Sequence, residues 1–318
     1  MEIIYNKVFL EHETGLHPEN KKRLTGLGIS VETDIIDGSL YPRLVHNLDY
    51  IDKIQFACEN KQQLDPDTFT SEGSFRAAMA AVGATVMASE TGGFAAVRPP
   101  GHHAYPNHAS GFCLFNNIAI ATTKLVNEGK RVMIFDFDGH LGDGTYHIFK
   151  ESDKVLFWSL HQYPAYPGGG SEDDIGDGKG RGFSVNVPLP AHTGDDIFRN
   201  AVEHFLPIAR QFAPDVVAVS AGFDAHHSDP LLELRLSLNS FYYLGEMFKR
   251  EFTNVFAVLE GGYNLEYMPQ CLHNFVDGYN GAPQRFNERP TESEIQLFEE
   301  FEFRMHRVET NLREYWDV

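Results

Sequence analysis

Cysteine is scarce in this sequence, and the cysteines it has are not spaced for cross-linking. The 318 residues include only Cys58, Cys113 and Cys271, which are scattered along the chain without a CxxC pair. This distribution argues against a disulfide framework and against a zinc site built from thiolates. A reducing compartment is the simplest setting for such a chain.

The sequence also lacks the features of export and of membrane insertion. Residues 1–5 are not a basic segment followed by an apolar stretch, so we expect no signal peptide. No apolar run approaches the roughly 20 residues that a membrane-spanning helix needs. These two absences predict a cytoplasmic protein that does not insert into a membrane.

Positive charge is in short supply. The chain has 26 Lys and Arg against 45 Asp and Glu, for a net charge of −19 with His counted as neutral. An acidic surface repels phosphate backbones, which argues against direct nucleic-acid binding. The same charge would tolerate or attract cationic substrates, although it can equally serve solubility alone.

Apolar residues make up 42% of the chain, enough for a sizeable core. Short apolar runs alternate with segments of helical periodicity, without a linker, a repeat or a low-complexity segment. This alternation predicts one α/β domain over residues 1–318, with a mostly parallel sheet. The predicted strands are 94–97, 131–135, 155–160, 215–220 and 255–259. The predicted helices are 44–62, 74–89, 116–128, 195–212 and 240–252, with an amphipathic helix in the last 30 residues.

The segment 136–145 has the highest density of chemically useful side chains. Asp136 and Asp138 would point the same way where the preceding strand ends, because side chains alternate along a strand. A glycine-rich turn then brings His140 and Asp143. Ligands of open α/β sheets bind at the carboxyl ends of strands, and carboxylate and imidazole donors suit zinc or iron. The segment therefore predicts a metal site, with a solvated Asp/Gly turn as the alternative.

Polar side chains follow the other predicted strands as well. His102 and His103 follow the first strand, Asp224 follows the strand at 215–220, and Tyr263 follows the strand at 255–259. Parallel strands place all these ends at one edge of the sheet. We therefore expect these residues to share one site.

A series of short motifs extends this pattern over residues 12–264. The motifs are Arg98-Pro99-Pro100-Gly101-His102-His103, Gly111-Phe112-Cys113, Asp136-x-Asp138-x-His140-x-Gly142-x-Gly144-Thr145, Ser159-Leu160-His161, Ser220-Ala221-Gly222-Phe223-Asp224, Asp229-Pro230-Leu231 and Glu260-Gly261-Gly262-Tyr263-Asn264. In these motifs the chain resembles the histone deacetylase superfamily, which includes acetylpolyamine amidohydrolases and acetoin-utilisation proteins. The resemblance implies an arginase-like three-layer α/β/α fold and metal-dependent removal of an acyl group from an amine.

The resemblance implies that Asp138, His140 and Asp224 are the metal ligands. Zinc is the metal of the family, with iron as the alternative. Three ligands of this kind leave positions for water and a substrate carbonyl. The neighbouring His226 and His227 are rival ligands that do not match the family pattern.

The family pattern also implies two His–Asp pairs and an oxyanion donor. His102 would pair with Asp136, and His103 with Asp143, each carboxylate orienting its ring and raising its pKa. His103 would act as general base and then as general acid, while His102 would supply electrostatic stabilisation. Tyr263 would donate to the substrate carbonyl and the oxyanion.

Five further residues are candidates for contact with the substrate. Phe112 and Tyr166 would form walls of a narrow acyl channel, although aromatic residues are more often part of the core. Gly111 would offer a carbonyl, and Asp67 a carboxylate at the rim. Polyamine-selective relatives tend to carry a glutamate where this chain has Leu231. Leucine there predicts a preference for acyl-lysine-type or small acylated substrates over acetylpolyamines.

The resemblance implies two structural potassium sites. The first would use Asp136, Asp138, His140, Ser159 and Leu160, and the second Phe149, Ser152, Val155 and Phe183. The chain departs from many relatives at Leu141, where they have a second histidine. Because that position is neither a ligand nor part of a His–Asp pair, we expect activity to survive the change.

The favoured function is that of a metal-dependent deacylase acting on a small-molecule or peptide acylated amine. Acetylpolyamine deacetylation is the alternative within the same chemistry. An arginase is less consistent with the sequence, because its two-manganese site is richer in aspartates. A non-catalytic acyl-group binder would be expected to lose the tyrosine, a ligand or a histidine, and all are present here. The acyl length, the natural amine, the metal and the existence of a homo-oligomer stay open.

Overall fold

The computed structural model describes all 318 residues and has a seven-stranded parallel sheet at its centre. The strands are β1 (Ile3–Ile4), β2 (Phe94–Ala95), β3 (Val132–Asp136), β4 (Val155–Gln162), β5 (Ser184–Leu189), β6 (Val216–Ala221) and β7 (Val255–Leu259). Their order across the sheet is β1-β2-β7-β6-β3-β4-β5, and every neighbouring pair is parallel. All carboxyl ends therefore lie at one edge.

Helices cover both faces of the sheet. They are α1 (Lys22–Thr25), α2 (Leu48–Glu59), α3 (Ser74–Thr91), α4 (Asn117–Asn127), α5 (Asp143–Phe149), α6 (Asp195–Phe212), α7 (Leu238–Glu251), α8 (Tyr267–Asn280) and α9 (Ile295–Leu312). Helices α3, α4 and α5 pack against β2, β7, β3, β6 and β4, whereas α6 contacts β4 and α7, and α9 covers β5. The predicted three-layer α/β/α fold is confirmed. None of the helices combines the length and apolar composition needed to cross a membrane.

The central strands are apolar because both of their faces are covered, as is usual in parallel sheets. Every residue of β3, β4, β6 and β7 is buried. Phe135 on β3 meets Trp158 on β4 at 4.7 Å between ring centroids and Phe248 on α7 at 5.1 Å. These contacts belong to one hydrophobic core of 78 residues, which holds the sheet rigid beneath its carboxyl edge.

The strand register aligns the places where the chain leaves the sheet. Asp136, the last residue of β3, is paired with Ser159 on β4 and with Ser220 on β6. The loops that follow β3 and β6 therefore start side by side. The sheet thus brings residues that are about 85 positions apart in sequence to one location.

The predicted strands and helices are present with ends shifted by a few residues, but five elements were not predicted, namely β1, β5, α1, α5 and α8. Strands β1 and β5 lie at the two outer positions of the sheet. The β5 sequence, Ser-Val-Asn-Val-Pro-Leu, has weak strand character, and its Pro188 is tolerated because the strand has a free edge. Helix α5 begins within the glycine-rich turn at Asp143, and α8 includes Pro269, Asn274 and Gly278, which weaken a helical pattern.

Candidate active site

Three buried side chains at the carboxyl edge have the arrangement of a metal site. Asp138 and His140 follow β3, and Asp224 follows β6. Their ligand-type atoms all lie within 4.8 Å of one another. His140 Nδ1 is 3.1 Å from Asp138 Oδ1 and 2.9 Å from Asp224 Oδ2. The structure thus brings together the three residues that the sequence predicted as ligands.

Backbone amides and glycines hold the two carboxylates in place. Gly261 N–H donates to Asp138 Oδ2 and Gly139 N–H donates to Asp224 Oδ1, both at 2.7 Å. A Cβ on Gly261 would lie 2.2 Å from Asp224 Oδ2, and a Cβ on Gly222 would lie 2.0 Å from Asp138 Oδ2. Only glycine fits at these two positions. Asp138 Oδ1 also accepts from His140 N–H at 2.9 Å, so both of its oxygens are held by the backbone, whereas Asp224 has one oxygen held by the backbone and one facing the His140 ring.

This centre favours a positive charge. Burial disfavours a charged His140, but the carboxylates of Asp224 and Asp138 outweigh burial and raise its pKa to about 10. Two carboxylates around one imidazole leave an excess of negative charge in a dry environment, which a divalent cation would offset. Two carboxylates and one imidazole also form the kind of three-ligand set that leaves coordination positions open. The donor set therefore fits a catalytic metal such as zinc.

His102 lies between two carboxylates. Its Nδ1 is 3.1 Å from Asp136 Oδ2, and its Nε2 is 3.8 Å from Asp138 Oδ2. Burial opposes a charge on this ring, but Asp138 and Asp136 raise its pKa well above the ordinary value. His102 is therefore positively charged at neutral pH.

His103 forms the second pair, with different electrostatics. Its Nδ1 is 2.7 Å from Asp143 Oδ1, and the Tyr105 hydroxyl donates to Asp143 Oδ2 at 3.0 Å. Asp143 raises the pKa of His103, as expected, but it does not set the net direction of the shift. Burial and the neighbouring charge of His102 outweigh Asp143 and lower the pKa of His103 to about 4. The ring is therefore neutral at physiological pH and free to accept a proton.

Tyr263 is the last of the predicted catalytic residues at the site, and it lines the pocket. Its ring lies perpendicular to Phe112 at a centroid distance of 5.6 Å. Burial and the carboxylates of Asp224 and Asp138 raise the pKa of the hydroxyl well above 10. The phenol therefore stays protonated and can act as a hydrogen-bond donor.

A pocket of about 240 Å³ opens above these groups. It is lined by Asp67, His103, Gly111, Phe112, His140, Tyr166, Leu231 and Tyr263. All five residues predicted to contact the substrate are among them. The hydroxyls of Tyr166 and Ser110 are 2.9 Å apart, which ties one wall of the pocket to the neighbouring loop.

The residues predicted to hold potassium lie in two groups. Asp136 and Ser159 are register partners at the ends of β3 and β4, close to the other members of the first set. In the second set, the Phe149 carbonyl accepts from Ser152 N–H at 2.8 Å, and the Phe183 carbonyl accepts from Phe157 N–H at 2.9 Å. The first set lies at the carboxyl ends of β3 and β4, and the second lies between α5 and β4 and at the residue that precedes β5.

The structure places the rival ligands His226 and His227 elsewhere. Their Nε2 atoms lie 3.1 and 2.6 Å from the two oxygens of Glu288, and the three side chains form a separate cluster. Leu141 is also outside the pocket lining. It is 3% exposed, and a Cβ on Gly170 would lie 3.0 Å from its Cδ2, so it packs beneath the loop that carries Tyr166.

Sequence reasoning missed a buried ionic network behind Tyr263. Glu19 binds the guanidinium groups of both Arg23 and Arg98. Arg23 donates at 2.6 Å to the carbonyls of Glu260 and of Gly262, which directly precedes Tyr263. The Arg98 motif was visible in the sequence. Its partners come from the first 25 residues, where no periodic pattern marked them.

Comparison with known proteins gives the family. The model of the histone deacetylase domain matches residues 37–279, which is more than half of the chain. The chain belongs to the histone deacetylase family. The resemblance inferred from the motifs is thereby confirmed.

Individual family members agree with this assignment. "Probable deacetylase" of Archaeoglobus fulgidus is 36% identical over 295 residues, which cover 83% of this chain and 81% of that protein. "Histone deacetylase 14, chloroplastic" of Arabidopsis thaliana is 44% identical over 209 residues, which cover 62% of this chain and 49% of that one. Because family members include chloroplast proteins, the cytoplasmic location stays a prediction.

A solved family structure has the same fold over nearly the whole chain. The crystal structure of the HDA15 HD domain superposes with a TM-score of 0.89 at 30% sequence identity. The match covers 99% of this chain and 96% of that chain. The fold and the family are therefore established by independent comparisons.

Proposed function

We propose that this protein is a metal-dependent deacylase that hydrolyses the amide of an acylated amine of the acyl-lysine type. One observation carries the proposal. His140, His103 and Tyr263 line one pocket of about 240 Å³. Behind this lining, His140 contacts the other two metal-ligand side chains, and His103 is paired with Asp143 next to the His102–Asp136 pair. Family membership and a relative named as a probable deacetylase support the same chemistry.

Asp138, His140 and Asp224 would hold the metal, with zinc as the proposed ion and iron as the alternative. A divalent ion bound there supplies Lewis acidity and lowers the pKa of water, as metal hydrolases require. The protein itself supplies the dry, negatively charged centre that favours the ion. The backbone N–H groups of Gly139 and Gly261 keep the carboxylates oriented for it.

The remaining polar groups supply proton transfer and charge stabilisation. His103 is neutral, so it would take a proton from the attacking water and return it to the departing amine. His102 keeps its positive charge beside Asp136 and would oppose the build-up of negative charge. Tyr263 would donate a hydrogen bond to the oxygen of the tetrahedral intermediate.

The pocket walls support a linear acylated amine as the substrate. Phe112 and Tyr166 provide aromatic surface along a narrow passage, and Leu231 adds an aliphatic wall at its mouth. Asp67 is an exposed carboxylate at the rim, able to accept from substrate N–H groups. We further propose that the two potassium sites stabilise the loops around β4.

The decisive experiment is a substrate screen on protein stripped of metal and reloaded with zinc or ferrous iron. Acetyl-lysine peptides, longer acyl-lysines and acetylpolyamines would be compared by kcat/KM. We expect zinc-dependent release of the acyl group from acyl-lysine. Absence of metal-dependent turnover on every acylated amine would refute the proposal.

A further inference from the structure

Asp229 lies in the loop between β6 and α7 and joins two walls of the pocket. It is 8% exposed. Its Oδ2 accepts from Tyr263 N–H at 2.6 Å and from Asn264 N–H at 3.3 Å. Its Oδ1 accepts from Leu231 N–H at 3.0 Å. One carboxylate thus receives three backbone donors from two loops.

The two loops that Asp229 connects contribute different residues to the pocket. One carries Tyr263, the proposed donor to the oxyanion, and the other carries Leu231, which lines the pocket mouth. The Asn264 side chain adds a second link by donating to the Ser228 carbonyl at 2.7 Å. A movement of either loop therefore pulls on the other through these bonds.

The position of Tyr263 depends on such an anchor, because glycines precede it. Gly262 has φ +110°, a backbone conformation open to glycine and to few other residues. The flexible pair Gly261–Gly262 cannot by itself define where the next residue points. The bond from Tyr263 N–H to Asp229 fixes the chain directly after that pair.

The three N–H donors favour the ionised form of Asp229. Burial and the nearby charge of Asp224 act in the opposite direction and raise its pKa to about 7. An acceptor is needed in either case, since a buried N–H without one is destabilising. No protein group other than this carboxylate is hydrogen-bonded to the N–H groups of Tyr263 and Leu231.

We propose that Asp229 is a positioning residue that acts through Tyr263 and Leu231, holding the oxyanion donor and the pocket wall in place from one carboxylate. The proposal rests on the deacylase function proposed above. It goes beyond that function by assigning one shared support to the oxyanion donor and the pocket wall.

A double-mutant cycle tests the proposal. Asp229→Asn keeps the volume and one good acceptor, whereas Asp229→Ala removes both acceptors. Each would be made in the native protein and in Tyr263→Phe, with kcat and KM measured on an acetyl-lysine peptide. In the native background we expect kcat to fall at least tenfold for Ala and less for Asn, at unchanged zinc content. In Tyr263→Phe the additional loss of kcat should stay within twofold, because the hydroxyl to be positioned is already absent.

A matched carboxylate distinguishes positioning from general destabilisation. Asp195 also joins separate segments by accepting from Ser237 N–H at 2.8 Å and Thr291 N–H at 3.0 Å, but it is absent from the pocket lining. Asp195→Asn should lower Tm and leave kcat within twofold of the native value. Equal losses of kcat from Asp229→Asn or Asp229→Ala in both backgrounds, or no loss in the native one, would overturn the proposal.

Amide hydrogen exchange gives an answer that does not depend on turnover. In Asp229→Asn, exchange at Tyr263 or Leu231 should accelerate at least tenfold over the native protein, because Asn cannot accept from both loops equally well. Unchanged protection of both amides would overturn the positioning role even in an active enzyme. Conversely, a native protein without deacylase activity refutes the proposed function, while the exchange result still reports whether Asp229 holds the two loops.

Discussion

Two clusters of histidine and carboxylate side chains lie near the loop that follows β6. The first cluster is Asp138, His140 and Asp224, and the second is His226, His227 and Glu288. In the first, one imidazole faces two carboxylates. In the second, two imidazoles share the oxygens of one carboxylate. The first therefore offers a cation two carboxylates, and the second offers it only one.

Backbone N–H donors also make the second cluster less suited than the first to binding a metal. In the second cluster, Ser228 N–H donates to His226 Nδ1 at 3.2 Å, so the proton of the neutral ring is on Nε2 and points at Glu288. A metal could bind Nε2 only after displacing that proton. Glu288 also accepts from Leu238 N–H, at the start of α7, where a carboxylate is favoured. Hydrogen bonds in the second cluster thus connect the loop after β6 and the start of α7 to Glu288, an arrangement that we call the clip. The residue types of the clip would nevertheless suit a metal equally well.

The largest expected effect is on metal content. Asp224→Ala removes a ligand from the first cluster, so the protein should lose most of its bound zinc. Deacylase activity should fall by at least about 10²-fold, because the metal lowers the activation barrier by several kcal/mol. Glu288→Ala is the matched control in the second cluster and should keep its zinc. Elemental analysis of both purified variants checks this. Full zinc occupancy in Asp224→Ala, or an equal loss of zinc in the two variants, would contradict the assignment of the metal to the first cluster alone.

The second prediction compares the tyrosines beside the two clusters. Tyr263 lines the pocket above the first, whereas Tyr267 stacks on His226 at 4.7 Å between centroids. Tyr263→Phe should lower kcat by about 10²–10³, the usual loss for one oxyanion donor, at unchanged metal content. Tyr267→Phe should leave kcat within about twofold, because its hydroxyl is not at the pocket. Steady-state kinetics with a quantified zinc content would decide, and near-normal turnover by Tyr263→Phe would make that residue structural.

The sequence was sufficient to locate the first cluster but not to interpret the second. Asp138, His140 and Asp224 each follow an apolar strand, and parallel strands must bring their ends together. His226 and His227 follow the same strand as Asp224, so the pattern alone left them as rivals. Their partner Glu288 comes from an irregular segment about 60 residues later, and no periodicity marks such a contact.

Sequence patterns also did not predict the protonation of the site residues or the hydrogen bonds that hold them in position. The His103–Asp143 pair could be inferred from motifs, but the direction of the His103 pKa shift depends on burial and on a charged neighbour. Asp229 was visible only as part of a motif, because its hydrogen bonds to Tyr263 and Leu231 exist only once both loops are folded. Local patterns therefore predict which groups meet, and the folded structure decides their protonation and their supports.

The third prediction concerns stability and applies to the clip. Glu288→Gln replaces an acceptor oxygen by a donor, so the three N–H groups of His226, His227 and Leu238 can no longer all be accepted unless His227 changes tautomer. We expect the free energy of unfolding to fall by about 1–3 kcal/mol, the range for a buried donor left unpaired. Urea denaturation measures this, with Glu314→Gln on the exposed surface as the control. Stability equal to that of the control would show that the cluster is not a clip.

The smallest expected effect concerns the choice of amine, and it depends on Leu231. This side chain is 39% exposed at the mouth of the pocket above the first cluster. An uncharged leucine favours the apolar stem of an acyl-lysine, whereas a carboxylate there would attract the distant ammonium group of an acetylpolyamine. The net charge of −19 also attracts polyamines, but charges spread over the surface are screened beyond about 10 Å at ordinary salt. A side chain at the mouth acts at contact distance and should therefore decide the preference.

The test compares kcat/KM for an acetyl-lysine peptide and for N-acetylspermidine, in the native protein and in Leu231→Glu. We expect the native protein to prefer acetyl-lysine and the variant to shift toward the polyamine by about tenfold, which corresponds to about 1.4 kcal/mol. Leu231→Gln, similar in size and uncharged, separates charge from shape and should shift the ratio much less. A native preference for the acetylpolyamine of tenfold or more would contradict the prediction. Equal ratios in the Glu and Gln variants would mean that charge at this position does not reach the substrate amine, and selectivity would then have to arise deeper in the channel, between Phe112 and Tyr166.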